Sequence, residues 1–463
     1  MSKNIQRVNL FIVNDKLSLM ERVGEILPNF PRDVVRTVIQ LLTLDAWHRL
    51  DRDVSFFQLG IGIGRVIEKV DSETLKIIVD SCEYYQSLCK GIAKGMEGNE
   101  VNKDLLIYLG NLSPIMAREI LANLDLSKYP EVIKALANNV SSLKHLPNVG
   151  SNIARQIDKI PFEIRRQIIN ILKENTMFLY EFLQTINLSK IDDIEQFIGK
   201  NKEIDEIIGY KLNEVNDKMK EKLLSFPSIA IGVGKGFQNL SYYWKRRVID
   251  KVMQDKQFAK GFLSSIDFTF LEDEFVHKLI EIGMSDEELA RVLGRNLGDS
   301  FPSLAEDLKT LAINMAEKNN SFAYGLGEGI SESVGSFVGF IRGKVYELKK
   351  EDQERILNLA FQSEQFAKGL FSNFNALFFF ENRDKILSLV MKYSEYLPIF
   401  IEQISRRIND FDLSKLLSLK GKVAYELGRI LCRSFIYLSK ENRELVLNWL
   451  DKNIELKEGF LQC

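Results

Sequence analysis

The chain has 463 residues, of which 45% are hydrophobic and 27% are charged, a composition typical of folded globular proteins rather than disordered ones. Only 9 prolines and 28 glycines interrupt it, which favours helices over many short strands joined by turns. Its 62 basic and 64 acidic residues nearly balance, so the overall charge does not indicate a basic nucleic-acid-binding protein.

The N-terminal segment, residues 1–69, has the apolar spacing of helices, as in Val34-Val35 and Val38-Ile39. Its first apolar stretch ends at Asn14, which is too early for the core of a secretory signal. No run in the chain approaches the ~18 apolar residues of a membrane span, so we expect no membrane partner. We predict that residues 1–69 form an N-terminal helical cap, continuous with a repeat domain over residues 70–463.

From Val70 onward the sequence repeats itself. Leu348–Phe371 aligns without gaps with Leu438–Leu461, and the two segments share seven identical residues. Leu240–Leu263 aligns with them as well, and its Phe-Ala-Lys-Gly sequence recurs unchanged in Leu348–Phe371. The remaining copies are less similar: Val70–Ala93, Ile160–Leu183, Leu279–Leu293, Leu304–Gly327 and Ile386–Phe400.

Every copy has the same apolar pattern. Two adjacent apolar residues come first, a large apolar residue lies ten positions after the first of them, and another follows four positions later. In one copy these are Val248-Ile249, Phe258 and Phe262. Because residues i and i+4 share one face of a helix, and polar residues separate the two groups, each copy predicts a helix, a short turn and a second helix. Neither helix can bury its apolar face alone, so neighbouring copies must stack.

Adjacent copies begin about 30 to 45 residues apart, which is the period of two-helix repeats. From about Val70 to Cys463 the chain therefore resembles the HEAT and armadillo repeat proteins in architecture. The resemblance implies an all-α fold, a right-handed α-solenoid of stacked two-helix repeats.

Three glycine triplets interrupt the predicted helices. They resemble phosphate-binding loops, but the third glycine comes one residue too early for the dinucleotide fingerprint, and the triplets belong to the repeat. Each glycine inside a helix costs about 1 kcal/mol relative to alanine, which close helix–helix approach can offset. We therefore predict tight helix packing at these triplets and at the repeat-column glycines Gly261 and Gly369. The triplets are Gly60-x-Gly62-x-Gly64, Gly232-x-Gly234-x-Gly236 and Gly325-x-Gly327-x-Gly329.

Cysteine and histidine offer little chemistry. No two of the four cysteines form a CxxC pair, which favours reduced thiols and a cytoplasmic protein. Glu274 and His277 form one Glu-x-x-His pair, whereas a di-iron site needs two such pairs and two more glutamates. His48 and His145 have no metal-ligand spacing either. No nucleophile or phosphate-binding motif is present, so we expect no cofactor, no metal and no enzymatic activity.

The position after each apolar pair is polar in every copy, and four of its eight residues are asparagine. Two interpretations stay open. The side chains could form hydrogen bonds between repeats or tie down a loop. Alternatively, the armadillo resemblance implies a ladder of asparagines that holds the backbone of an extended peptide. This asparagine column comprises Asp80, Asn170, Asp250, Glu281, Asn314, Asn358, Ser388 and Asn448.

A second column, five residues earlier, is mostly basic. Basic residues near a helix start oppose the helix dipole slightly, so their recurrence indicates some use. They could form a solvated face with acidic neighbours, or a stripe that binds an acidic peptide or RNA. This basic column comprises Arg165, Lys245, Lys309, Arg383 and Arg443; Gln353 is an exception, and the two weakest copies have Leu75 and Val276 there.

Together these features predict a non-enzymatic scaffold or adaptor that binds a protein or an extended peptide on the concave face of a solenoid. The alternative is a nucleic-acid- or ribosome-associated repeat protein that binds through the basic stripe. The candidate partner-binding residues are Arg165, Lys245, Lys309, Arg383 and Arg443 in the basic column and Asn170, Asn314, Asn358 and Asn448 in the asparagine column.

Overall fold

The computed structural model describes most of the chain, and the described part is all-helical with no β-strand. The described residues are 19–44, 49–140, 148–174, 176–191, 193–333, 348–372, 382–396, 400, 413–417 and 419–462. The chain divides into two compact units. The first comprises Met1–Ile208 and Glu214–Asn216, and the second comprises Gly209–Asn213 and Asp217–Cys463.

The first unit is built from twelve described helices, the last of which runs two residues past its boundary. They are α1 (residues 19–26), α2 (Arg32–Leu44), α3 (Arg49–Val66), α4 (Ser72–Ser81), α5 (Gln86–Met96), α6 (Lys103–Leu112), α7 (Pro114–Asn123), α8 (Pro130–Val140), α9 (Val149–Gln156), α10 (Phe162–Glu174), α11 (Thr176–Thr185) and α12 (Lys202–Tyr210).

The described helices of the second unit continue in the same style. They are α13 (Asp217–Leu223), α14 (Ala230–Gly236), α15 (Tyr242–Gln254), α16 (Lys256–Leu263), α17 (Asp273–Met284), α18 (Glu287–Ser300), α19 (Glu306–Lys318), α20 (Asn320–Ser333), α21 (Lys350–Gln362), α22 (Glu364–Phe371), α23 (Arg383–Lys392), α24 (Leu413–Leu417), α25 (Gly421–Ser434), α26 (Lys440–Leu450) and α27 (Ile454–Leu461).

Within each unit the helices alternate between two layers, because each helix packs against the helix two places along the chain. In the first unit α2, α4, α6, α8 and α10 form one such series, and α3, α5, α7, α9 and α11 form the other. In the second unit the first series contains α15 packed against α17, and α21 packed against both α19 and α23. The second series consists of α14, α16, α18, α20 and α22, each packed against the next. We call the series that holds the asparagine column the A layer and the glycine-rich series the B layer. In the same way α24 and α26 belong to the A layer, and α25 and α27 to the B layer.

The predicted helix–turn–helix units are confirmed wherever both of their helices are described. In the copy Leu240–Leu263, Val248 and Ile249 are buried on α15, and Phe258 and Phe262 are buried on α16. A single residue, Asp255, separates the two helices, and its carboxylate accepts a hydrogen bond from the Phe258 N–H at 3.0 Å. Ser285 and Glu288 have the spacing of a capping box, but the residue that caps α18 is Asp286, whose carboxylate accepts from the Glu288 N–H at 2.9 Å.

The predicted packing role of the glycine triplets is confirmed in α3 and α20, and α20 shows why their glycines alternate. A Cβ on Gly325 or Gly329 would lie 2.0 Å from a carbonyl oxygen of α18. A Cβ on Gly327 would lie 2.3 Å from a carbonyl oxygen of α22, on the opposite side. The outer glycines therefore face one neighbour and the middle glycine faces the other, which is what a helix between two close neighbours in one layer requires.

The triplet in α3 follows the same rule. A Cβ on Gly60 or Gly64 would overlap the backbone of α5, and one on Gly62 would overlap the backbone of α1. Residues 19–69 are thus helical as predicted, apart from the undescribed 45–48, and α3 packs into the B layer of the first unit. Whether the segment acts as a cap stays a prediction, and residues 1–18 lie outside the described part.

The expectation of reduced cysteines is wrong for the cysteines that the structure describes, because Cys82, Cys89 and Cys432 are all disulfide-bonded. Cys82, at the C-terminal end of α4, is disulfide-bonded to Cys89 in α5, with the two Cα atoms 5.5 Å apart. Both side chains are fully buried. The seven-residue spacing that crosses the turn between the two helices is not a CxxC spacing, so the search for that motif missed the pair.

Candidate partner-binding surface

The basic column lies where the B layer of one repeat meets the A helix of the next. Lys309 on α19 is 1% exposed, and its Nζ lies 2.7 Å from the Asp352 carboxylate on α21 and 5.8 Å from the Phe301 ring centre. Lys245 on α15 is 8% exposed, and its Nζ lies 2.7 Å from the Glu272 carboxylate. The hydrogen bond from Lys245 lowers the pKa of the Glu272 carboxyl.

The two arginines of the column whose side chains are described make similar local contacts. Arg165 donates from Nη2 to the carbonyl oxygen of Ile160 at 3.2 Å, and Arg443 donates from Nη2 to that of Ile436 at 2.9 Å. The Arg443 guanidinium also lies 5.8 Å from the Phe435 ring centre. Each cation therefore ties an A helix to the short 3-10 turn that precedes it, by a carbonyl or by the face of an aromatic ring.

Gln353 and Arg383 occupy two further positions of the column. Gln353 donates from Nε2 to the Leu348 carbonyl at 3.1 Å, so an uncharged amide makes the same tie as the arginines. Arg383 begins α23, and its side chain lies outside the described part. Sequence reasoning considered a solvated face or a binding stripe and missed this tying role, because the acidic partners lie 27 and 43 residues further along the chain.

The asparagine column, by contrast, faces outward on the A layer. Asn170 on α10, Asn314 on α19, Asn358 on α21 and Asn448 on α26 are all exposed. The side chains of Asn314, Asn358 and Asn448 make no hydrogen bond within the described part of the chain. Since α19 and α21 are packed neighbours, Asn314 and Asn358 stand at matching positions on adjacent helices. Their amides are therefore free to donate and to accept.

Three grooves open on the A layer, and each is lined by one member of this column. Asp80 lines a groove of about 440 Å³ between α2 and α4, and Asn170 lines one of about 390 Å³ beside α10. Asn314 lines the largest of the three, about 600 Å³, between α17 and α19. Among the described residues, three of the eight members of the asparagine column thus line grooves of the A layer.

The grooves differ in charge. Arg165, Arg166 and Lys190 line the groove beside α10, and Lys190 is paired with Asp158. The groove between α17 and α19 is lined by three acidic residues and by no lysine or arginine. Within the described part the A layer therefore carries no continuous basic stripe, and the grooves present different chemistry to a partner.

An aromatic and basic patch lies on α15, which neighbours α17 in the A layer. Tyr242 and Tyr243 are half-exposed or more. Arg246 stacks on the Tyr242 ring at 4.8 Å and pairs with Glu274 on α17 at 2.9 Å, and Arg247 pairs with Glu221 on α13 at 2.8 Å. Two tyrosines at a helix start beside arginines match the residue types that dominate protein interfaces, and this signal is readable from the sequence.

Glu274, the glutamate of the Glu-x-x-His pair, makes its contacts in this patch. The Tyr242 hydroxyl donates to the Glu274 carboxylate at 2.7 Å, and this hydrogen bond lowers the pKa of the Glu274 carboxyl. His277 lies on α17 in the wall of the acidic groove. Among the described residues, no three metal-ligating side chains come together. His48 and His145 lie outside those residues.

The helices were also compared with the dimensions of a bilayer. In the part of the chain that the structure covers, none is both long enough and apolar enough to cross one.

We compared the chain with protein-family models, with curated proteins and with solved structures. No family model, curated protein or solved structure matches it. Function is therefore inferred from the contacts, exposure and charge of the A layer.

Proposed function

We propose that this chain is a non-enzymatic helical-repeat scaffold that binds a protein or an extended peptide along the outer face of its A layer. The two alternating layers within each unit support a HEAT- or armadillo-like α-solenoid. One observation carries the functional part of the proposal: the four asparagines of the column are exposed on the A layer, Asn314 and Asn358 lie on neighbouring helices, and Asn170 and Asn314 line grooves.

Asparagine suits this task for a physical reason. An extended peptide presents alternating N–H and C=O groups that need partners, and one asparagine amide can supply both a donor and an acceptor. Asparagine is also a poor helix former, so Asn314, Asn358 and Asn448 cost some stability on exposed helix faces, with no hydrogen bond to another described residue to offset it. A bound backbone would supply the missing partners for Asn314 and Asn358.

The alternative, a nucleic-acid-binding protein, has weaker support. Its candidate residues Lys245 and Lys309 are buried and paired with carboxylates, so they offer little positive charge to a phosphate backbone. The acidic groove between α17 and α19 would repel that backbone. A protein or peptide partner fits the A layer better.

A random dodecapeptide display library, selected on the immobilised full chain, tests the proposal. We expect the selected peptides to bind an Asn314→Ala/Asn358→Ala variant about tenfold or more weakly, since each lost hydrogen bond contributes about 0.5–1.5 kcal/mol. The matched control is Asn213→Ala/Asn239→Ala, which removes two exposed asparagines of the same unit outside the A helices. Equal binding by the two variants, or no selected peptide, would refute the proposal.

A further inference from the structure

The groove between α17 and α19 combines an apolar floor with acidic walls. Val276, Leu308 and Leu311 provide apolar surface, and Val276 is buried. The acidic residues Asp273, Glu306 and Asp307 are exposed along it. Asn314 lies two helical turns beyond Asp307 on α19 and also lines the groove.

Most of this negative charge has no cationic partner among the residues that the structure describes. Glu306 is compensated, because it accepts from Arg355 at 2.7 Å and from Lys309 at 3.2 Å. Asp273 and Asp307 make no ion pair with any residue that the structure describes. The nearby acid Glu274 is already held by Tyr242 and Arg246, so the α15 patch neutralises Glu274 rather than these two aspartates.

Resting on the proposed function, we propose that this groove selects an extended peptide that carries lysine or arginine. The methylene stem of a long basic side chain would lie on Val276, Leu308 and Leu311, as such stems commonly do on apolar surface. Its cationic head would pair with Asp273 and Asp307, and Asn314 would hold the peptide backbone. The partner class is thus a basic peptide segment.

The A-layer grooves differ in charge, so the groove beside α10 can be compared with the groove between α17 and α19 as an internal control. The groove beside α10 contains Arg165, Arg166 and Lys190, so it should disfavour the same peptide. Charge complementarity affects specificity and association rate more than total affinity. A basic peptide should therefore bind faster and more selectively than its acidic counterpart, and this advantage should shrink as salt increases.

Fluorescence anisotropy with two labelled dodecapeptides tests the inference on the full chain. Both peptides share a leucine, alanine and glycine framework, and they carry either four lysines or four glutamates. We expect the lysine peptide to bind more tightly, and Asp273→Asn/Asp307→Asn to weaken it about tenfold or more. The control Glu441→Gln/Glu444→Gln removes the same charge from exposed positions on α26 and should leave binding within about twofold.

Two results would overturn the inference alone. One is equal binding of the lysine peptide by the aspartate variant and its control. The other is glutamate-peptide binding that equals or exceeds lysine-peptide binding and that Asn314→Ala/Asn358→Ala weakens. In either case the A layer still binds peptides, but not by this charge. If no peptide binds, whether selected or synthetic, the proposed function fails together with the inference.

Discussion

Replacing Gly369 with alanine should separate helices that now touch along their backbones. A Cβ at this position of α22 would lie 2.0 Å from the Tyr324 carbonyl oxygen and 2.9 Å from the Glu328 nitrogen, both on α20. Real Cβ atoms essentially never come closer than 3.0 Å to such atoms, so the helices must move apart by about 1 Å. No side-chain rotation can relieve a clash with a carbonyl of the helix backbone.

The same repeat supplies a matched control. Gly261 occupies the equivalent position in an identical Phe-Ala-Lys-Gly sequence, but a Cβ there would lie 2.8 Å from the Ala230 Cβ, and the next atoms, both of Ile231, are at 3.5 and 3.6 Å. Alanine at either site gains about 1 kcal/mol of helix propensity. Overpacking commonly costs about 1–3 kcal/mol, and the 2.0 Å approach to a backbone oxygen puts Gly369 in the upper part of that range, about 2–3 kcal/mol. We therefore expect a net loss of about 1–2 kcal/mol at Gly369 and little change at Gly261. Leucine at Gly369 should cost more than alanine.

Urea unfolding followed by circular dichroism at 222 nm would measure the two alanine variants, with thermal melts as a second readout. A loss of this size lowers the melting temperature of a unit of about 250 residues by roughly 2–8 °C. Equal shifts for the two variants would show that the close approach of α20 and α22 does not limit the residue at this position. A Gly369 variant as stable as the parent would refute the packing explanation of the glycine columns.

Two further predictions concern the ties between repeats. Lys309→Met should destabilise the second unit by about 3–5 kcal/mol, because it leaves the Asp352 carboxylate buried and unpaired. The double variant Lys309→Met/Asp352→Leu should recover most of that loss in urea unfolding. A Lys309→Met variant that costs less than about 1 kcal/mol would contradict this expectation. The hydrogen bond from Lys245 lowers the folded-state pKa of the Glu272 carboxyl. The stability that this pair contributes is therefore complete above the unfolded-state pKa of about 4.3, and it is lost as the pH falls through the lower folded-state pKa. The melting temperature should therefore fall between about pH 5 and 3, and by less in Glu272→Gln; identical profiles for the parent and this variant would exclude the pair as a cause.

The sequence predicted the local structure of this chain better than its long-range pairing. The spacing of Val248, Phe258 and Phe262 was enough to predict a helix, a turn and a second helix, because helical period alone determines which residues share a face. The glycine triplets predicted close packing, but not that Gly327 and its two companions face opposite neighbours. That distinction depends on which helix lies on each side.

The two candidate columns show the same limit. Asn314 and Asn358 come directly after the buried apolar pair of their helices, so the sequence pattern is enough to predict that they lie on an outer face. The burial of Lys309 was not, because its partner Asp352 lies 43 residues later and pairs with it only when α21 packs on α19. The same is true of Cys82 and Cys89, which the turn between α4 and α5 brings together.

The two-sided glycine helices restrict where this chain can change in length. One residue inserted between Gly325 and Gly329 would rotate the second glycine by about 100°, away from α18 and out of its contact. Within the described part of the chain the outer faces of α19 and α21 meet no such neighbour, so their residues can be exchanged without moving a helix. Homologous chains should therefore conserve the length of the B-layer helices and differ mainly in the residues that the A layer presents to a partner.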